Sequence, residues 1–228
     1  MKKYLVTGSG SGLGKYLYDE LPDSVGLTRK THGKIPSKYD TIIHCAFNKI
    51  TPNTEEMYDY INDNLFLTKS LLEHFKYKYF IYISSIDVYK PIAEQTSYST
   101  FKRYAEALVS HFPNTLILRL PVILGNTMKP NHLTRMINDK KPKLTLSSAS
   151  TFNYILYKDV LELVEGEKDL LTGTYDLVAK DNVQLGEVAK ELNKKVEFGS
   201  FVYITTNNFE NPIYTNKTSL QTIKEFMR

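Results

Sequence analysis

The chain has one cysteine, Cys45, among 228 residues, and no apolar run approaches the ~18 residues of a membrane span. One cysteine excludes a disulfide framework and an all-cysteine zinc site, and a reducing cytoplasm is the expected compartment. The five histidines, His32, His44, His74, His111 and His132, lack metal-ligand spacing, so structural roles and no metal are expected. Charge of one sign is scarce as well. Against 25 acidic side chains stand 29 basic ones, and the resulting +4 is spread along the chain. That pattern suits mild attraction to anionic small molecules, not nucleic acid or a membrane. The segment from Met1 to Gly8 has too short an apolar core for a signal peptide. What is present is ordinary for a globular protein: 42% apolar residues, 12% aromatic and 24% charged. The length fits one domain, or a domain with an appended lobe.

The first half alternates between two periods. Lys2 to Thr7, Ser24 to Thr28, Tyr39 to Ala46, Phe80 to Ser84 and Thr115 to Leu120 read as strands. Between them, Leu13, Leu17 and Leu21 mark one helix, Glu55 to Phe75 a long amphipathic helix, and Tyr98 to His111 another. Strands separated by helices require crossover connections, which predicts an α/β chain with a parallel sheet. Beyond Gly125 the rhythm loosens. Helices are expected at His132 to Lys141, from Lys158, at Leu185 to Leu192 and at Ser219 to Met227, with extended segments at Phe152 to Tyr157 and Tyr175 to Val178. Residues 1–125 are expected to form a dinucleotide-binding core, and 126–228 a smaller substrate lobe packed on it and partly interleaved.

Thr7-Gly8-Ser9-Gly10-Ser11-Gly12-Leu13-Gly14 lies after the first strand and opens the first helix. Backbone N–H groups at a helix N-terminus bind pyrophosphate, and glycines keep side chains out of the way. The spacing is T-G-x-x-x-G-x-G, not G-x-G-x-x-G. About 20 residues after the first glycine, where a carboxylate normally holds the adenosine ribose, stand Thr28, Arg29 and Lys30. No carboxylate repels a 2′-phosphate there and two cations can bind one, which favours NADP(H), with NAD(H) the alternative.

Tyr98 and Lys102 are four apart and share a helix face. Chance alone supplies such pairs in a chain with 17 tyrosines, and a second occurs at Tyr154 and Lys158. Context separates them: Ser84 and Ser85 end a buried strand shortly before Tyr98, at the sheet edge where α/β sites form. A phenol has a pKa near ~10 and needs tuning to move protons at neutral pH. A lysine one turn away, together with a cationic oxidised nicotinamide, is expected to favour the phenolate, and a serine hydroxyl to orient the substrate oxygen.

With these residues assembled, the sequence resembles the short-chain dehydrogenase/reductase superfamily, in its extended branch, the NAD-dependent epimerase/dehydratase family. The resemblance runs along nearly the whole chain. Asp40 to Ala46 is similar to D-x-V-I-H-x-A-A, Asn64 to Leu72 to N-V-x-G-T-x-x-L-L, and Ser84 to Tyr89 to S-S-x-x-V-Y-G. Leu118 to Gly125 resembles L-R-x-x-N-V-Y-G, Ile155 to Val160 resembles V-D-D-V at its end, and Gly173 to Leu177 resembles G-x-Y-N-V. The resemblance implies a Rossmann-type doubly wound parallel sheet with a small C-terminal substrate lobe. It makes Tyr98 the general acid or base, Lys102 its tuner and ribose ligand, and Ser85 the holder of the substrate oxygen. Asn64 would support a proton relay. Gly8, Ser11, Gly12, Leu13 and Gly14 would line the pyrophosphate, and Ala46, Pro121 and Val122 would flank the nicotinamide. A homodimer paired through the helices at 55–75 and 98–111 also follows by resemblance.

The chain departs from that pattern in four places. Its glycine spelling and the 13 residues from Ser85 to Tyr98 are those of the single-domain branch. Few residues separate Thr28 from Asp40, so a strand–helix unit is shortened. Val122 replaces an asparagine that often touches a nucleotide diphosphate. The function expected is an NADPH-preferring reductase of a keto-sugar, nucleotide-linked or free. An NAD-dependent nucleotide-sugar epimerase or dehydratase is the alternative, and a non-catalytic NADP(H)-binding regulator the reading from another class.

Overall fold

The computed structural model describes residues 3–31, 35–166 and 171–228. Lys2 and His32 lie outside them. Seven strands form the central sheet: β1 (Tyr4–Thr7), β2 (Ser24–Leu27), β3 (Thr41–His44), β4 (Tyr79–Ser85), β5 (Thr115–Leu120), then β9 (Gly173–Val178) and β11 (Pro212–Tyr214). Their order is β2-β1-β3-β4-β5-β9-β11, and every neighbouring pair is parallel. This is the Rossmann-type doubly wound sheet. The chain leaves β1 for β2 on one side and then crosses to β3 on the other. Ligands bind at such a reversal, outside the carboxyl ends of the strands. The link from β2 to β3 has no helix among its described residues, so the unit is shortened as expected.

Helices cover both faces because the strands alternate two apolar sets. Val6, Ile43, Ile81, Ile83 and Leu118 point to the side covered by α1 (Gly12–Glu20) and α6 (Tyr157–Glu165). Leu5, Ile42, Phe80, Tyr82 and Ile117 point to the side covered by α3 (Leu67–His74) and α4 (Ser97–Val109). Strands buried on both faces read as nearly continuous apolar runs, which β3 and β4 do. Thr96 and Ser99 form a capping box that starts α4 immediately before Tyr98, two orphan donors being satisfied reciprocally.

Three elements differ from the sequence expectation. The segment expected as one helix at 55–75 is α2 (Met57–Ile61), a π-helical turn (Asn62–Phe66) and α3. The extra residue enters where the Thr68 hydroxyl takes the Asn64 carbonyl. The basic helix, α5 (His132–Asn138), stops before Lys140 and Lys141. The extended segment at 152–157 is split into β7 (Thr151–Phe152) and β8 (Tyr154–Leu156) at Asn153, whose amide side chain bonds the backbone of Ala179 and Asp181 instead. β8 runs parallel to β6 (Val122–Leu124), and β7 pairs with β10 (Val183–Gln184).

These short strands, α5, α7 (Leu185–Glu191) and α8 (Ser219–Phe226) enclose a second apolar cluster around Leu133, Met136, Tyr154 and Val188. Residues 126–228 also contribute β9 and β11 to the main sheet, so both halves of the chain share one framework. Among the described residues no helix is long and apolar enough to cross a membrane.

Candidate active site

At the end of β1 the backbone enters the left-handed region at Gly8, φ +70°. A Cβ there would lie 2.9 Å from the Ala46 nitrogen, and one at Gly14 would lie 2.5 Å from the Gly8 oxygen. Both positions require glycine. Ser11 caps α1 without a side-chain hydrogen bond, and the start of the helix opens into the cleft. A bare turn feeding a helix N-terminus is a cradle that fits a pyrophosphate. It is braced from outside the core. The Gly12 N–H donates to the Thr127 carbonyl (3.0 Å), and the Thr127 hydroxyl donates to the Gly12 carbonyl (2.9 Å). Tyr157 hydrogen-bonds the Thr127 side chain and fits against Gly125, where a Cβ would strike its ring.

Ser85 ends β4, and Tyr98 and Lys102 lie in the first two turns of α4, so sheet and helix converge on one point. Ser85 Oγ accepts from the Asp87 N–H (3.2 Å) and hydrogen-bonds Tyr98. Burial raises the Tyr98 pKa well above its usual value; the Ser85 bond opposes this, and the charge of Asp87 adds to it. Tyr98 is therefore a phenol that can donate a proton. Lys102, 3% exposed, donates from Nζ to the Ile83 carbonyl (2.6 Å) and sits 4.3 Å from the Phe47 ring centre and 5.9 Å from that of Tyr98. Burial, with Lys49 in support, lowers its pKa to about 7. Burial dominates the Tyr98 shift, and the expected pull toward phenolate is that of Lys102 acting together with a cationic oxidised nicotinamide. Desolvation weakens the charged form of both groups, and the ammonium is turned to a carbonyl.

Asn64 is buried behind the cleft. Its Oδ1 accepts from the Asn48 N–H (2.7 Å) and its Nδ2 donates to the Asn48 carbonyl (3.2 Å), which fixes the loop carrying Phe47 and Lys49. A chain of side chains supports it. Thr68 donates to the Asn64 carbonyl (2.9 Å), so its oxygen accepts from His44 Nε2 (2.9 Å), and His44 Nδ1 accepts from Thr7 (2.7 Å). Thr7 Oγ1 in turn accepts from the Ala46 N–H (3.1 Å). Burial, then the charge of Lys102, lowers the His44 pKa to about 3, so the imidazole is neutral.

The cleft has a volume of about 700 Å³. It brings together Gly8, Ser11, Gly12, Leu13, Gly14, Ala46, Ser85, Tyr98, Lys102, Pro121 and Val122. Asn64, Arg29 and Lys30 do not line it. Arg29 and Lys30 are exposed beyond β2, and Arg29 lies 3.7 Å from the Asp63 carboxylate. Sequence reasoning missed Phe47, Lys49, Asp87, Lys129, Tyr157 and Tyr203, all of which line the cleft. Asp87 lies inside the Ser84 to Tyr89 motif and was within reach of it. Tyr203 carries no local signal; it arrives from the far end of the chain and donates to Asp87 Oδ1 (2.5 Å).

No protein-family profile and no curated protein matches the sequence. Solved structures do match its fold. A dTDP-4-dehydrorhamnose reductase from Bacillus anthracis in complex with NADP is 17% identical, with a TM-score of 0.76 over 100% of this chain and 99% of that one. MoeE5 in complex with UDP-glucuronic acid and NAD is 18% identical, with a TM-score of 0.75 and 99% of both chains covered. A UDP-glucuronic acid 4-epimerase from Bacillus cereus with UDP-glucuronic acid and NAD is 18% identical, with a TM-score of 0.69 over 99% of this chain and 93% of that one. At these identities the likeness is one of architecture: the chain has the Rossmann-type fold on which these nicotinamide-binding reductase and epimerase structures are built.

Proposed function

We propose that the protein is an NAD(P)-dependent oxidoreductase of the short-chain dehydrogenase/reductase type, acting in the cytoplasm as an NADPH-preferring reductase of a keto-sugar. One observation carries this reading. A serine-bonded tyrosine phenol and a buried lysine face a bare glycine turn across a single cleft at the reversal of a parallel sheet. Residues 8–14 would hold the pyrophosphate, with Ala46, Pro121 and Val122 beside the nicotinamide. Reduced nicotinamide, when bound, supplies a hydride. Ser85 orients the substrate carbonyl oxygen, and Tyr98 gives its proton to that oxygen as it becomes an alcohol. Lys102, close to both ring faces, holds the ribose and restores the phenol. In this reading 1–125 is the cofactor core and 126–228 closes the substrate end.

The NADPH preference rests on Arg29 and Lys30 and on the absence of a carboxylate at Thr28. The ion pair between Arg29 and Asp63 favours the rival, an NAD-dependent epimerase or dehydratase, because it occupies the cation that a 2′-phosphate would need. Oxidation of NADPH and NADH against a panel of activated keto-sugars tests both. Turnover with NADPH supports the reductase, and NAD that copurifies and is not exchanged supports the rival. A Tyr98→Phe protein with unchanged biological activity and intact cofactor binding would leave only a non-catalytic regulator. We also propose a homodimer. Met57, Tyr58 and Phe66 on the α2–α3 segment and Tyr104 on α4 are exposed apolar side chains on the two helices that would pair. A monomeric mass in solution scattering removes that proposal.

A further inference from the structure

The formal excess of +4, expected to be spread along the chain, is concentrated on one surface. Segments 135–143 and 190–197 hold seven basic and three acidic side chains, which is the whole of that excess. They are far apart in sequence and adjacent in the fold. Lys194 Nζ donates to the Ile137 carbonyl (2.8 Å), the Glu197 N–H to the Pro142 carbonyl (2.9 Å), and the Leu144 N–H to the Glu197 carbonyl (2.9 Å). Two of the carboxylates are occupied, Glu197 by Lys143 (2.7 Å) and Glu191 by Lys224 of α8 (2.9 Å). Arg135, Lys140, Lys141, Lys190, Lys194 and Lys195 have no carboxylate within ion-pair distance among the described residues, and all but Lys194 are exposed. Arg135 and Lys190 lie in the last turns of α5 and α7, where the helix dipole favours a cation. The four lysines beyond those helix ends have no such local reason.

The same two segments run on into an apolar rim. They lie side by side, bridged at Lys143 and Glu197 and again at Leu146 and Phe201. Phe201, Val202 and Ile204 are 63%, 50% and 59% exposed, within ~30 Å of extended chain from Lys195. Lysines act as hydrated point charges and need no fixed partner geometry. Cations beside protruding apolar side chains fit a bilayer with anionic headgroups: the lysines lie over the headgroups and the apolar side chains enter the acyl boundary. A nucleic acid would meet the charge and leave Val202 and Ile204 in water. We propose that this face of the C-terminal half is a peripheral docking surface for an anionic lipid bilayer. It goes beyond the proposed reduction and does not depend on it.

Cosedimentation with phosphatidylcholine vesicles, with and without about 30% phosphatidylglycerol, tests it. Apparent affinity should be at least about tenfold higher for the anionic vesicles, and about 0.5 M KCl should remove most of that gain. A Lys140→Gln/Lys141→Gln/Lys195→Gln protein should lose about tenfold or more. A Lys15→Gln/Lys69→Gln/Lys78→Gln protein has the same net charge, altered on the sheet domain, and should bind as the wild type does. Phe201→Ser/Val202→Ser should weaken binding about fivefold or more and leave its salt dependence in place. Near-UV circular dichroism confirms that each variant is folded before it is compared. Four results overturn the proposal: no preference for anionic vesicles, equal losses in the two lysine variants, no effect of the apolar pair, or binding to a DNA duplex without binding to vesicles. None of these readouts uses NADPH turnover, so failure of the reductase reading would leave them unchanged.

Discussion

The two ends of the proposed cofactor path are built very differently. Behind the half-buried Tyr98, the packing around Lys102 is enclosed. Lys102 is 3% exposed, its ammonium is bonded to a strand carbonyl, and a buried chain of Thr7, His44, Thr68 and Asn64 stands behind the adjacent loop. Around Arg29 almost nothing is. That side chain is 80% exposed, and it follows an edge strand whose residues are all half-buried. A charge or hydroxyl in the first environment acts at low effective dielectric and in one geometry. In the second it is screened by water and salt. Chemistry is therefore expected to depend steeply on single atoms at the nicotinamide end, and cofactor choice only shallowly on charges at the adenosine end.

Tyr98→Phe probes the enclosed end most severely. Removing one hydroxyl should lower carbonyl reduction by about 10²- to 10⁴-fold, with NADPH binding retained in a fluorescence titration. A loss of only a few-fold would erase the contrast. Gly14→Ala comes next, because the new Cβ meets the Gly8 carbonyl with no flexible neighbour to yield. NADPH affinity should fall by about tenfold or more, with a stability loss of about 1–3 kcal/mol in chemical denaturation.

The buried imidazole predicts a pH effect on stability. His44 titrates at about 3 when folded against 6.5 when free, so the unfolded chain binds the extra proton between those values. Stability should fall as pH drops through that window, with a slope of at most about 1.4 kcal/mol per pH unit from this group. Denaturation at a series of pH values should show a flatter profile for His44→Gln. The smallest effect belongs to the open end. Arg29→Ala should reduce the ratio of kcat/KM for NADPH over NADH by no more than about fivefold, and the difference should shrink in high salt. A hundredfold change would show that the adenosine end encloses its ligand after all.

Much of the enclosed end was legible because its signals are local. A glycine turn between strand and helix, serines ending a strand, and a tyrosine one turn before a lysine each occupy a few consecutive residues. Reading the charge states was harder. The Tyr–Lys spacing is a statement about one helix face, whereas the shifts of Tyr98 and Lys102 come from the protein packed around them. Asn64 lies in the helical segment where it was expected, and its side chain bonds the Asn48 backbone. The π-helical turn that carries it lies beside the Thr68 hydroxyl bond to the Asn64 carbonyl, and no hydrophobic period reports either.

Composition and order alone determined the sheet class and the glycine turn and singled out Ser85, Tyr98 and Lys102 as candidates, because these depend on periodicity and on residues close in the chain. Only the tertiary structure decided what surrounds them. Thr127 pinning Gly12 and Tyr203 holding Asp87 each join residues more than 100 positions apart. Such pairs meet through the packing of separate elements, and the free energy that brings them together belongs to the whole core.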